Sequence, residues 1–265
     1  MARLYYRPST YLFMLAKTYL QSPLNGALLT LYYAGRLAGL RVLAGRVVRF
    51  RCGHGLEFRD FLDKYWVYSM PGHYEERTIR VLMEYSGEGE VFYDVGVNVG
   101  FHGVHVGVGG ARVVAFEPDP RVWGLLRANL ESHGVAHTII PRPACDEERD
   151  VILHLMPKPE HSSLASSGGS MGGYRVKCAS IDGLVDSGVV APPTMVKIDV
   201  EGAEVMVLRG MERTLDSARP SIVVIEVGRQ TIGGVVGFMK GKGYRYQGAL
   251  DGWGGRWNVL FTARR

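Results

Sequence analysis

From residue 91 onward, short apolar runs alternate with stretches of helical spacing. Val91 runs to Asp94 and breaks into a turn carrying Gly96, Asn98 and Gly100, which opens a helix. Arg112 to Phe116 is a second apolar run, followed by helical spacing over Val122 to Ser132. Thr138 to Ile140, Met195 to Val200 and Ser221 to Val227 continue the series, with helices expected near 203–209 and 232–240. Continuous apolar runs separated by amphipathic stretches predict buried parallel strands joined by crossover helices. Tyr244–Gln247 and Trp257–Thr262 have no helix between them, which predicts an antiparallel hairpin at one edge of the sheet. Val151–Leu155 and Tyr174–Ala179 flank a long, small and polar loop over 157–173, read as a mobile lid or an acceptor-binding loop, or as simple disorder. The fold class expected is α/β, with a doubly wound, mainly parallel seven-stranded sheet.

The pattern before residue 72 is different, which predicts an N-terminal helical and β-hairpin extension over 1–71 and a main domain over 72–265. Residues 9–44 read as one or two helices broken at Gln21-Ser22-Pro23, and 47–59 as a hairpin turning at Gly53-His54-Gly55. A helix over Tyr74–Met83 leads into the strand at Val91. The charge-free stretch Thr18–Gly35 is interrupted by Gln21, Pro23 and Asn25, which makes it a poor membrane span. Lys17 breaks the apolar region too early for a signal peptide.

Composition adds two points. Residues 1–46 hold Arg3, Arg7, Lys17, Arg36, Arg41 and Arg46 with no acid, in a chain of net charge +5 and isoelectric point about 9.1. The asymmetry is that of a solvated basic face, or of contact with a membrane surface, a phosphorylated substrate or RNA. Cys52, Cys145 and Cys178 are too few and too scattered for a disulfide framework or a zinc site, which favours a reducing, cytoplasmic setting. The N-terminal helices and hairpin are also candidates for a homodimer contact.

The chemistry gathers at strand ends. The turn 94–100 is D-x-G-x-N-x-G, and the dinucleotide fingerprint G-x-G-x-x-G is absent from the chain. A pyrophosphate seeks backbone N–H groups. A carboxylate in the same turn would repel it and would suit a cationic ligand, such as the sulfonium and ammonium of S-adenosylmethionine (SAM). The alternative is a plain tight turn whose Asp94 caps the next helix. Glu117 lies 21 positions after Gly96, about the separation at which a carboxylate accepts ribose hydroxyls. Asp146 follows the third strand, where an adenine amino group could be read. In Lys197-Ile198-Asp199-Val200-Glu201-Gly202-Ala203-Glu204, Lys197 and Asp199 share one strand face, which is costly unless they pair or face a cleft. The site reading competes there with a Lys–Asp pair followed by acids favoured at a helix start.

DVGVNVG, AFEPDP, the A-x-D at 144–146, S-S-L at 162–164 and above all KIDVEGAE resemble the FkbM family of SAM-dependent methyltransferases, and Tyr74-Glu75 resembles its lead-in. The resemblance covers about residues 72–227. It implies a Rossmann-like class I methyltransferase acting on hydroxyls of sugars or of other small or lipid-linked acceptors. It further implies that Asp94, Gly96, Asn98 and Gly100 hold the methionine part of SAM, Glu117 the ribose and Asp146 the adenine side. Asp199, Glu201 and Glu204 would lie near the methyl and the acceptor, with Ser162 and Ser163 contributing from the loop. His102 departs from the family pattern and is either a proton acceptor or a helix-surface residue. Asp199 is the first candidate for a general base, with Glu201 and His102 behind it; no metal is expected. The rival readings are an RNA methyltransferase using the basic N-terminal segment and a non-catalytic SAM-binding or membrane-peripheral protein.

Overall fold

The structure is a computed structural model that describes residues 46–52, 55–61, 74–156, 162–164 and 171–264, with a few positions between 23 and 34. The helices expected over 9–44, His54 at the hairpin turn and the loop segments 157–161 and 165–170 lie outside the described residues, wholly or for the most part. Among the described residues no helix is long and apolar enough to cross a membrane.

The chain divides into two compact units, residues 1–74 and 75–265. In the first, β1 (Val47–Arg51) pairs antiparallel with β2 (Glu57–Phe61). Alternation along β1 buries Val48 and Phe50, and Phe50 stacks on Phe58 with ring centroids 6.0 Å apart.

The second unit begins with α1 (Glu76–Glu84) and β3 (Val91–Val95), then α2 (Phe101–Val108), β4 (Arg112–Phe116), α3 (Trp123–Ser132) and β5 (His137–Ile140). After β6 (Asp150–His154) and β7 (Gly173–Lys177) come α4 (Ile181–Asp186), β8 (Met195–Ile198), α5 (Glu204–Arg209), α6 (Glu212–Ser217) and β9 (Ile222–Gly228). The chain closes with α7 (Ile232–Gly241), β10 (Tyr244–Trp253) and β11 (Arg256–Ala263). The main sheet runs β10-β11-β9-β8-β3-β4-β5, with β9, β8, β3, β4 and β5 parallel and β11 antiparallel to both its neighbours. The expected architecture is therefore present.

Phe92, Val113, Val196 and the run Ile222–Ile225 are essentially inaccessible, because helices cover both faces of a parallel sheet. Each such aliphatic or aromatic side chain contributes about 1.5–3 kcal/mol by leaving water. β6 and β7 do not join this sheet but form a separate antiparallel pair. The short helices α4 and α6 were not expected, since six residues show too little periodicity. The closing hairpin is also longer than the pattern suggested, because glycines at 248 and 252 mask β10 as loop.

Cys145 and Cys178 form a disulfide, with Cα atoms 5.9 Å apart. This corrects the inference drawn from cysteine count and removes the cysteine argument for a reducing setting. The residues are 33 apart in sequence, but a parallel bridge between Ala144 and Ala179 brings them together.

Going outward from β3, the chain winds to β4 and β5 on one side and to β8 and β9 on the other. The order reverses between β3 and β8, and in open α/β sheets the crevice at such a reversal, beyond the strands' carboxyl ends, is where ligands bind.

Candidate active site

The glycine turn and the end of β8 meet at this reversal. Gly96 has φ +85°, and a Cβ there would lie 1.8 Å from the carbonyl oxygen of Asp199. Any side chain at 96 would thus push the two strand ends apart. Asn98 takes φ +52° without being glycine, and Gly100 at φ +90° starts α2. Behind the turn, buried Asn129 of α3 donates from Nδ2 to the Val99 carbonyl at 2.8 Å. These contacts fix the turn without occupying its open side.

Asp94, the last but one residue of β3, is 1% exposed. Its Oδ2 is buried without a well-aligned donor, the Gly103 N–H giving partial compensation. Burial raises its pKa, against the opposing charges of His102 and Lys197. Such an acceptor is suited to an ammonium group.

Glu117, just past β4, is 7% exposed. Its Oε2 accepts from the Asn98 N–H and its Oε1 from the Asp119 N–H, both at 2.8 Å. Each oxygen keeps a second lone pair for a further donor. Burial pushes its pKa up to about 8 despite these two hydrogen bonds.

The KIDVEGAE octet divides by role. Lys197 is 1% exposed, and its Nζ lies 2.8 Å from Asp199 Oδ2 and 3.9 Å from Glu75 Oε2. Burial would lower the lysine's pKa, but Asp199, Glu75 and Asp94 together raise it. Asp199 keeps about 24% of its side chain exposed, more than the carboxylates behind it. Glu201 has φ +52° and pairs with Arg256 of β11. Glu204 is turned away: it is 1% exposed and its Oε1 accepts from the Gly202 N–H at 2.7 Å, closing the start of α5.

Several members of this cluster were not singled out from the sequence as site residues. Glu75 precedes α1 at φ +45° and lies 2.8 Å from His102 Nε2. Burial alone would raise its pKa, but Lys197 and then His102 outweigh that and hold it near 2. Glu226 lies on β9, 2.8 Å from Arg256, and burial with the charge of Asp199 pushes it up to about 8. The carboxylates of Glu75, Asp199 and Glu226 are close enough to share one small cation, with ligand atoms within 4.8 Å of one another. The Lys197 ammonium stands against two of them. Five carboxyl groups (Glu75, Asp94, Asp199, Glu201, Glu226) thus face two permanent cations, Lys197 and Arg256. The raised pKa values of Asp94 and Glu226 fit burial combined with that surplus of acid.

His102 is buried at the start of α2, which excludes a helix-surface role. Glu75, Asn98 and Glu201 account for three of the four non-glycine residues at positive φ among the described residues. Backbone held in that region costs about 1–3 kcal/mol per residue and concentrates at functional sites. One signal for Glu226 was present in the sequence, a single charge within an otherwise apolar strand. Arg256 and Asn258 carried none before the register of β11 was known.

The remaining expected residues lie nearby with internal partners. Asp146 is partly exposed and pairs with Arg149 at 2.5 Å, which lowers its pKa against the effect of burial. Ser162 donates to Asp119 Oδ2 and accepts from Arg121, both at 2.9 Å. Ser163 donates to the Glu201 carbonyl at 2.9 Å. Residues 162 and 163 are thereby tied to the chain just past β4 and β8, and both hydroxyls are engaged.

A family profile described as the methyltransferase FkbM domain matches residues 94–246. The hexuronic acid methyltransferase AglP of Haloferax volcanii is 36% identical over 154 residues, which are 58% of this chain and 63% of AglP. The chain thus spans under two thirds of that relative's length. Among solved structures, the methyltransferase FkbM from Methylobacillus flagellatus KT aligns with TM-score 0.46 and 19% identity over 65% of this chain and 43% of the other. The tRNA (uracil-54, C5)-methyltransferase of Pyrococcus abyssi, in complex with S-adenosyl-L-homocysteine, aligns with TM-score 0.49 and 17% identity over 82% and 43%. With the profile covering more than half of its length, the chain belongs to the FkbM methyltransferase domain family.

Proposed function

We propose that this protein transfers a methyl group from SAM to a hydroxyl of a saccharide acceptor. The observation that carries the cofactor is the surplus of buried acid at the sheet reversal, with Asp94 Oδ2 lacking an aligned donor. A phosphate-bearing cofactor would be repelled there, whereas a ligand with an ammonium and a sulfonium completes the charge balance. Asp94 would hold the amino group, Glu117 the ribose hydroxyls and Asp146 the adenine side. The acceptor class is supported by the likeness to AglP, which makes a hexuronic acid the first sugar to test.

When bound, SAM supplies an electrophilic methyl on sulfur. The protein's contribution is to align an acceptor oxygen with that methyl and to accept its proton. Asp199 would take that proton; the reading is supported by its being the more exposed carboxylate and by the Lys197 ammonium that orients it. Methyl-labelled SAM incubated with a cell extract divided into lipid, glycan and RNA pools tests the whole reading. Label in the glycan pool supports it, label confined to RNA overturns the acceptor class, and no label in any pool points to a non-catalytic protein.

Two binding predictions follow from the turn. Asp94→Ala is expected to weaken SAM binding about 10- to 100-fold by calorimetry, the magnitude of one charge-assisted hydrogen bond. Wild-type affinity in that variant would remove Asp94 from the site. Glu117 accepts hydroxyl donors best as an anion, and it titrates at about 8. SAM affinity should therefore rise between pH 6.5 and 9, by at most about tenfold per pH unit. Glu117→Gln should bind more weakly, with that dependence gone. A flat wild-type profile would exclude Glu117 as the ribose acceptor.

A further inference from the structure

Two partly exposed carboxylates stand side by side at the sheet reversal. The pairing of β8 with β9 ends with Ile198 beside Ile225, so Asp199 and Glu226 follow as neighbours on one face. Their carboxylate oxygens approach within 4.8 Å. Each group is anchored through one oxygen only. Lys197 Nζ donates to Asp199 Oδ2 and Arg256 Nη1 to Glu226 Oε2, both at 2.8 Å. Among the described residues no donor reaches the second oxygens, Asp199 Oδ1 and Glu226 Oε1. Both side chains are open to the crevice, at 24% and 18% exposure. Glu75, the third acid of the cluster, is engaged behind them by His102, Lys197 and Asn258.

Asn258 supplies a second, separate sign that donors are short here. It lies directly opposite Glu226 in the β9–β11 pair, so its side chain projects to the same face. The residue is 3% exposed and hydrogen-bonds to Glu75, yet its Oδ1 is buried with no donor. Buried acceptors are rarely left unmet in a folded protein. A ligand that completes this corner must therefore bring hydrogen-bond donors, and a second anion would only add acceptors. The cation's place is already taken, since the Lys197 ammonium stands against both Asp199 and Glu75.

We propose that Asp199 and Glu226 together grip two adjacent hydroxyls, so that the acceptor is a vicinal diol, methylated on one oxygen and recognised through the other. Neighbouring hydroxyls of a pyranose lie a hydrogen-bond length apart, and two carboxylate oxygens this close can take one each. Asp199 accepts the proton of the attacking hydroxyl as its oxygen bonds the methyl carbon; the carbon–sulfur bond breaks and its electron pair stays on sulfur. Glu226 touches no reacting atom. It holds the neighbouring hydroxyl and so selects which oxygen is presented. A carboxyl group binds a hydroxyl as acceptor when ionised and as donor when protonated, so the grip survives titration of Glu226. The inference rests on the saccharide reading and names the part of the sugar that the site recognises.

The probes are methyl β-D-glucuronide and its monodeoxy analogues, used with the full chain and labelled SAM. NMR of the product first identifies the methylated oxygen. Removing a hydroxyl next to it should lower kcat/KM about tenfold or more, the magnitude of one hydrogen bond to a charged group. Glu226→Ala should lower kcat/KM for the parent glucuronide by a similar factor and leave SAM affinity unchanged. In that variant the deoxy analogue should react as fast as the parent, because the contact it lacks is already gone. A purely structural role for Glu226 would slow both sugars alike. Neighbouring hydroxyls that prove dispensable in the wild type overturn this inference alone, as does a Glu226→Ala loss equal for parent and analogue. Activity removed by EDTA and restored by Mg²⁺ also overturns it, since the acids would then be metal ligands. A methyl on the sugar's carboxylate, or none on the glucuronide, overturns the saccharide hydroxyl reading and this inference with it.

Discussion

Asp199→Asn is expected to lower turnover by about 10²- to 10⁴-fold, the range removed with a general base, while SAM affinity stays within about twofold of wild type. Asparagine keeps the shape of aspartate and an oxygen that can accept from Lys197 Nζ, now 2.8 Å from Asp199 Oδ2. What it cannot do is take a proton from an attacking hydroxyl. Single-turnover kinetics with labelled SAM separates this from a binding defect. A fall smaller than about tenfold would exclude Asp199 as the base and pass the role to His102. That imidazole lies 2.8 Å from Glu75 in the same cluster.

The second large effect is on stability. Lys197→Met should destabilise the protein by about 3–5 kcal/mol at neutral pH, the cost of removing one partner from a buried ion pair. Lys197 is 1% exposed, and its ammonium faces Asp199 and Glu75, with Asp94 also within electrostatic reach. Removing it leaves those acids facing one another in a low-dielectric interior. Methionine matches the length of the lysine stem, so little of the loss comes from a cavity. Urea unfolding measures it, and the double variant with Asp199→Asn should lose less than the sum of the single changes. Additivity, or a loss under about 1 kcal/mol, would show that the cluster does not depend on this cation.

The expected strands from 91 to 227 were legible because parallel strands covered on both faces leave continuous apolar runs, and Phe92, Val113, Val196 and Val223 sit at the centre of the sheet. The strand–turn chemistry of Asp94, Gly96 and Glu117 was legible for a related reason: a turn that must approach Asp199 this closely leaves glycine as its signature. The closing hairpin was only half legible, since Gly248 and Gly252 interrupt the strand pattern while the backbone continues in register with β11. Arg256 and Asn258 left no pattern at all, and Glu75 only a resemblance in the lead-in to α1, with nothing to join it to the strand ends. The two strand residues lie far from Glu75 in sequence and join it only because β11 inserts beside β9 and α1 starts next to that edge.

By itself, then, the sequence determined the order of the main sheet's strands, the position of the glycine turn and the acidic character of the strand ends, because each is written in residues adjacent along the chain. Tertiary structure alone decided which acids are buried together and which are merely helix starts. Glu204 closes α5, Ser162 and Ser163 bond to the chain just past β4 and β8, and Glu75 and Glu226 join Lys197 and Asp199. Spacing along the chain records neither the burial nor the long-range approach that makes a carboxylate part of a site.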